Sequence, residues 1–283
     1  MYSRVVACLQ CPLCHGGLIE SDAGSGRALR CAMAHSFDVA RQGYANLGYP
    51  PLTHSGDTAG MVAFRAEFQA AGHYRFIAEA VAAAAKALHG ETQTGLIVEA
   101  GAGTGYYLGV VLDALPGCAG LALDVSKAAL RRAARAHSRA GAALCDVWRE
   151  LPVRAGVAGL VLSIFSPRNG VEFARILAPD GALIVVAPTS AHLAELVGPL
   201  GLLSVAANKE DAVAASLGDG FLKLDEQRFD RVLQLTHNEV HALVMMGPSA
   251  WHLDPEKLSG AIAGLPRIVP VTASVQVSSY RTR

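Results

Sequence analysis

The chain has 283 residues, with 24 Lys plus Arg against 24 Asp plus Glu, and is 52% hydrophobic and 17% charged. That composition excludes intrinsic disorder, and a formal charge of zero argues against a histone-like or tail-type nucleic-acid binder. The length accommodates one large domain and a small one. No apolar run approaches the roughly 20 residues of a membrane helix, and the start, MYSRVVACLQCPLC, lacks the h-region and cleavage site of a signal peptide, so a cytoplasmic protein is expected.

Residues 1–47 are rich in Cys, Gly and His, with little hydrophobic period, as in a module that needs a staple. Four of the six cysteines fall here: Cys8, Cys11, Cys14 and Cys31. Clustering of this kind in a reducing compartment points to metal rather than disulfides. Cys11-Pro-Leu-Cys14 forms a knuckle whose thiolates converge, and Cys31-Ala-Met-Ala-His35 supplies the other half of a tetrahedron, with Gly16, Gly17 and Gly24-Ser-Gly26 providing the turns. The expectation is a closed, structural zinc site of Cys11, Cys14, Cys31 and His35, with Cys8 a spare thiol that also stands two residues from Cys11. His15 is read as facing solvent.

Residues 48–90 read as a Pro- and Gly-punctuated linker to Asp57, then two short helices meeting at Gly72: Met61, Phe64, Arg65 and Phe68 keep helical spacing, which resumes at Ile77, Ala80, Val81 and Ala84. From residue 91 on, short apolar runs alternate with helical stretches. Strands are predicted at Leu96–Ala100, Gly120–Asp124, Ala142–Cys145, Gly159–Phe165 and Gly181–Ala187, and Ser126 caps a helix. The alternation predicts an α/β fold, a parallel sheet covered on both faces, with ligands at the strand C-terminal ends. Arg231–Thr236 and Ile268–Val277 read as strands that extend or flank it.

Glu99-Ala-Gly101-Ala-Gly103-Thr-Gly105 stands where the first of these strands gives way to a helix. Its glycines let backbone amides approach a ligand, and Tyr106 occupies the place where a dinucleotide fingerprint wants another glycine. The spacing resembles motif I of S-adenosylmethionine-dependent methyltransferases, which implies a Rossmann-like class I methyltransferase sheet. Asp124 ends the next strand, where a carboxylate accepts from both ribose hydroxyls or, alternatively, supplies charge to the following helix. Asp146 reads equally as an acceptor for the adenine amino group and as a surface loop residue; Phe165 reads as a core residue or as a stacking platform for a flipped base.

Taken together the chain resembles the bacterial large-subunit rRNA guanine-N1 methyltransferases of RlmA type, the tylosin-resistance branch in particular. The resemblance rests on Cys11-Pro-Leu-Cys14, Cys31-x3-His35-Ser-Phe-Asp38, Gly43-Tyr-Ala-Asn-Leu47, Ser55-Gly-Asp-Thr58, Ala71-Gly-His-Tyr74 and Glu99 to Tyr107. Asp124-Val-Ser-Lys127, Ser166-Pro167, Pro188-x3-His192-Leu-x-Glu-Leu196 and Pro248-Ser-Ala-Trp251 extend it. It implies methyl transfer from S-adenosylmethionine to N1 of a guanine in the hairpin 35 region of 23S rRNA, a homodimer, and a zinc module that helps shape an RNA cleft. By matching position it implies that Tyr74, Gly103, Thr104 and His192 line the S-adenosylmethionine site, beside Glu99, Gly101, Gly105 and Asp124. The family's basic run before Ser55 is replaced by Tyr49-Pro-Pro-Leu-Thr-His54, and an arginine pair is replaced by Phe64-Arg65, which puts phosphate contacts at both places in question.

No Asp, Glu or His declares itself as general base. Residues 124–139 have five basic side chains against one acid, and Arg131, Arg135 and Arg139 recur at helical spacing, a pattern read as a solvated outer helix. Arg27, Arg30 and Arg41 in the zinc module are the stronger candidates for phosphate contact. Two rival readings are a small-molecule, natural-product methyltransferase with an architectural zinc module, and a cofactor-binding protein without catalysis.

Overall fold

In the computed structural model, residues 2–22, 26–52, 55–90, 94–202 and 209–283 are described. Gly24, Ser25, Thr53 and His54, named above in turns and in the linker, lie outside them. A short helix α1 (Ser3–Val6) precedes a three-stranded antiparallel sheet of β1 (Ile19–Asp22), β2 (Arg27–Arg30) and β3 (Ser36–Asp38). Strand β4 (Tyr44–Asn46) then leaves this ribbon and joins the large sheet. A division at residue 47 therefore leaves one strand of the large sheet on the ribbon's side.

Helix α2 (Ala59–Ala70) starts at Thr58, whose hydroxyl accepts from Met61 N–H at 3.2 Å; α3 (Arg75–His89) follows the turn at Gly72, which takes a left-handed φ of 83°. Next come β5 (Leu96–Ala100), α4 (Tyr106–Ala114), β6 (Ala119–Asp124), α5 (Lys127–Ala133), β7 (Ala140–Leu144), β8 (Ala158–Ile164), α6 (Gly170–Ile176) and β9 (Leu177–Pro188). The chain ends with α7 (Ala194–Leu200), α8 (Lys209–Leu217), β10 (Phe221–Thr236), α9 (His237–Met245), α10 (Pro255–Ala263) and β11 (Ile268–Thr282).

The large sheet runs β10-β11-β9-β8-β5-β6-β7-β4. It is parallel from β9 to β4, but β11 is antiparallel to β9 and β10 to β11, so the sheet is mixed rather than wholly parallel. Order reverses at β5, which places the switch point beside the glycine turn that follows it. Strand residues point alternately to two cores: Ile97 and Ala122 pack with α3 and α4, while Val98, Leu121 and Leu123 face the other way. That second core also contains Val5, Leu9, Leu18, Leu29, Cys11 and Cys31. The zinc module thus shares apolar packing with the central strands.

Helix α5 stops at Ala133, so Arg135 and Arg139 do not continue a face with Arg131. The physical reason is close approach: a Cβ on Gly105 would lie 3.0 Å from Ala133 Cα and Ala136 Cβ. Arg139 turns inward and donates to the carbonyls of Leu112, Leu115 and Cys118 behind α4, where a cation is favoured at a helix C-terminus.

Candidate functional site

At the metal centre, the ligand atoms of Cys11, Cys14, Cys31 and His35 all lie within 4.8 Å of one another. The knuckle of Cys11 and Cys14 precedes β1, Cys31 follows β2 and His35 precedes β3, so two strand ends and one turn converge. Ala34 adopts a left-handed φ of 62° and brings His35 back to Cys31, whose N–H bonds the His35 carbonyl at 3.2 Å. Cys14 Sγ to Cys31 Sγ is 3.6 Å, and Nδ1 of His35 lies 3.5 Å from Cys11 Sγ and 3.4 Å from Cys31 Sγ. A tetrahedron with Zn–S bonds of about 2.3 Å has edges of about 3.7 Å, so the donor set fits zinc and fills every position. Cys8 stands apart, its thiol 3.4 Å from the Arg4 carbonyl, and His15 pairs with Glu150 at 3.0 Å on the surface.

The second site gathers at the C-terminal ends of β5, β6 and β8. Gly101, Gly103 and Gly105 all take left-handed φ values, 68°, 55° and 77°, so this turn can be traced only by residues that tolerate that region. Glu99 is 1% exposed beneath the turn and accepts from Leu108 N–H in the first turn of α4 at 3.2 Å. Burial pushes its carboxyl up to about 8. A carboxyl raised in the folded state favours folding fully below its ordinary value of 4.5, and that contribution fades as pH rises toward 8. Glu99→Gln keeps an acceptor and cannot ionise. It is expected to match the parent closely in thermal unfolding at pH 5 and to exceed it at pH 9 by several degrees, on the order of 4 kcal/mol; equal midpoints at pH 9 would contradict the assignment.

Asp124 accepts from Gly103 N–H at 2.8 Å and from Ser126 N–H at 2.7 Å, which fixes its carboxylate against the glycine turn. Burial raises its pKa, and these two N–H groups pull it down. Ser126 caps α5 and donates to the Asp57 carbonyl at 2.7 Å, and Gly56 packs so closely that a Cβ would meet Ser126 N at 2.7 Å. The end of the expected linker is therefore a docked wall of the site. Thr104 is buried and its hydroxyl donates to Gln69 of α2 at 2.6 Å. Asp146 is buried and accepts from Trp148 N–H at 3.0 Å, so the surface-loop reading of it does not hold.

Tyr74, Phe165 and His192 converge from three elements, with ring centroids 5.9–6.2 Å apart. Phe165 is 40% exposed rather than buried in the core, because a left-handed φ of 52° swings it out of β8 toward the other two rings. Ser274 N–H donates to Nδ1 of His192 at 3.1 Å, so the neutral ring carries its proton on Nε2, 3.3 Å from the Tyr74 hydroxyl. Burial holds His192 down to about 4, and the imidazole is neutral at physiological pH. The Tyr74 hydroxyl accepts that proton's hydrogen bond.

Sequence reasoning missed Arg65, which points inward. Its guanidinium pairs with Asp57, donates to the Met246 carbonyl at 2.6 Å, and would lie 3.3 Å from a Cβ on Gly103. The signal was present as Asp57 and Arg65 eight apart across the start of α2, but only the fold shows them turned toward the glycine turn. Arg27 pairs with Glu20 across β1 and β2 at 3.2 Å, and Arg30 reaches Ser36 at 3.4 Å; both are exposed, at opposite ends of β2.

The zinc-ribbon family described as RlmA, N-terminal, matches residues 9–49. The chain is 46% identical to the 23S rRNA (guanine(748)-N(1))-methyltransferase of Streptomyces fradiae over 99% of both chains. It is 50% identical, over 99% of both, to a Micromonospora griseorubida protein bearing the name 23S rRNA (guanine-N(1)-)-methyltransferase. Among solved structures, a methyltransferase from Bacillus halodurans covers 71% of this chain and 97% of its own at 13% identity, with a TM-score of 0.52. That likeness concerns the fold, a class I S-adenosylmethionine-dependent methyltransferase sheet, here joined to the zinc ribbon. With a left-handed glycine turn, a fixed carboxylate at the next strand end and relatives matching end to end, the chain belongs to the family of 23S rRNA guanine-N1 methyltransferases.

Proposed function

We propose that this protein transfers a methyl group from S-adenosylmethionine to N1 of a guanine in the hairpin 35 region of 23S rRNA, at the position equivalent to guanine 748, and that it does so in the cytoplasm as a homodimer. The reading is carried by one observation: the glycine turn, Asp124 and the Tyr74–Phe165–His192 group share a single edge of the sheet. The 46% identity to the Streptomyces fradiae enzyme supports the choice of guanine, and with it a role in resistance to tylosin-type macrolides. No helix among the described residues is long and apolar enough to cross a membrane.

Bound S-adenosylmethionine supplies an electrophilic methyl group on a sulfonium. Asp124 would hold the ribose hydroxyls with the lone pairs that Gly103 and Ser126 leave open, and the turn from Gly101 to Gly105, with Thr104 anchored on Gln69, would carry the methionine end. Arg65, already fixed by Asp57, offers a guanidinium to the methionine carboxylate. His192 has Nδ1 filled and Nε2 protonated, so it acts as a positioning residue for Tyr74 rather than as the group that takes the guanine N1 proton. Methyl transfer would form the N1–CH3 bond, break the S–CH3 bond to leave S-adenosylhomocysteine and release the N1 proton to water; the chain's own contribution would be chiefly positioning of the guanine, with Phe165 stacking the base. The zinc ribbon, residues 1–47, presents Arg27, Arg30 and Arg41 to RNA phosphates.

Phe165→Leu keeps an apolar group but loses the stacking face. It is expected to lower kcat/KM for rRNA by about tenfold or more while leaving S-adenosylmethionine affinity unchanged, as read by single-turnover methylation and calorimetry. Full activity of this variant would remove Phe165 from the mechanism.

A further inference from the structure

Among the described residues four aromatic side chains are exposed: Tyr49, Trp148, Phe165 and Trp251. Three of them stand just beyond the C-terminal ends of parallel strands in one sheet: Phe165 after β8, Trp148 after β7 and Tyr49 after β4. Tyr49 and Trp148 are each 55% exposed. With strands about 4.8 Å apart, and β8 three places from β7 and four from β4, the row extends roughly 14 Å and then 19 Å from the ring at the methyl-transfer site.

The row is one connected ledge. Asn169, behind Phe165, donates to the carbonyls of Val147 and Arg149 at 3.1 and 3.3 Å. Arg149 in turn donates to the carbonyls of Pro50 and Pro51 at 3.1 and 3.4 Å, and so ties the Trp148 loop to the segment after Tyr49. Buried Asp146 holds Trp148 N–H at 3.0 Å. Packing does not account for two half-bare rings on such a fixed edge, whereas stacking of unpaired bases uses exposed aromatic faces with arginine beside them.

We infer that Trp148 and Tyr49 form a stacking track for unpaired nucleotides flanking the target guanine, with the RNA strand running from Phe165 across the ends of β7 and β4 toward the zinc ribbon. The track commits to RNA because it continues the edge where Phe165 stands and carries Arg149 at its middle. It rests on the proposed methylation of 23S rRNA.

The chain has two tryptophans, so Trp251→Phe leaves Trp148 as the sole indole. In that background, adding a 23S rRNA fragment spanning hairpin 35 to the zinc-loaded protein is expected to quench Trp148 emission with the same midpoint as binding followed by anisotropy of labelled RNA. Trp148→Ala and Tyr49→Ala are each expected to weaken RNA binding about fivefold or more, with unchanged S-adenosylmethionine affinity and unfolding midpoint. RNA binding with unquenched Trp148 and unweakened variants would overturn the track. So would Trp148→Ala that weakens S-adenosylmethionine instead, which would make the indole a cover over the cofactor. If the parent protein methylates no 23S rRNA, the functional reading itself falls and the track with it; methylation that persists undiminished in both variants defeats the track alone.

Discussion

Replacing Cys31 by serine is expected to strip zinc from the chain and to lower the midpoint of thermal unfolding by about 10 °C or more. Cys31 is one of four donors closing the site, and three donors cannot hold a structural ion with the same affinity. The consequence reaches beyond the ribbon because Cys11 and Cys31 are buried beside Leu9, Leu18 and Leu29 in the core that also contains Val98 and Leu121. Loss of the metal frees the knuckle and opens that face of the sheet to water, and each large side chain lost from a core of this kind costs about 2–5 kcal/mol. Metal content by mass spectrometry and calorimetric unfolding, on the variant and on parent protein treated with chelator, check this together. Complete loss of zinc with an unmoved midpoint would show that the ribbon stands without its ion. Cys8→Ser, whose thiol donates to the Arg4 carbonyl away from the four donors, is expected to retain one zinc per chain.

Gly101→Ala is expected to be the most damaging single change at the proposed cofactor site. A left-handed φ of 68° costs an alanine about 1–2 kcal/mol, and its Cβ would lie 2.5 Å from Cβ of Ser166. Ser166 has little room to retreat: its hydroxyl is 3.1 Å from that of Ser163, and it sits between Phe165 and Pro167. Overpacking there adds about 1–3 kcal/mol and displaces both the glycine turn and the Phe165 ring. S-adenosylmethionine affinity is expected to fall at least about tenfold and methylation further, since Phe165 moves as well. Gly156→Ala is the control for backbone strain away from the site. Gly156 has the same φ of 68° with nothing within 4 Å of its added Cβ, so it should cost stability through backbone strain alone and bind cofactor normally. Equal cofactor affinity in both variants would show that contact with Ser166 is not what matters.

Much of the α/β core was legible because its physics is local. Ile97, Val98, Leu121, Leu123 and Leu183 lie in short apolar runs between helix caps and glycines, and the strands formed where those runs fall. Strand β10 was only half legible: apart from Leu224 and Phe229, residues from Lys223 to Asp230 are charged or polar, because this part of the edge strand is largely exposed and no core face selects apolar residues. Tyr44–Asn46 was hidden for another reason, since three residues carry no period and their strand state depends on distant β7. The zinc donors could be read from spacing, because two knuckle halves are close in sequence. Tyr74, Phe165 and His192 could not, for their meeting depends on how α3, β8 and the loop after β9 are stacked, and only the family resemblance pointed to Tyr74 and His192. The apparent basic stripe through Arg139 failed because helical spacing says nothing about where a helix stops. Close packing on Gly105 ended it, and the carbonyls behind α4 took the arginine.

The zero net charge that seemed to speak against a nucleic-acid partner is compatible with RNA recognition by shape and stacking. Such recognition places few cations at chosen points and shows a weaker salt dependence than a uniformly basic surface. Primer-extension mapping of 23S rRNA from cells with and without this protein tests the central claim most directly. A new stop at a single guanine of hairpin 35, present with the parent protein and absent with Gly101→Ala, is the predicted result. No new stop anywhere in 23S rRNA, from a zinc-loaded protein that binds S-adenosylmethionine and methylates a small metabolite instead, would contradict it.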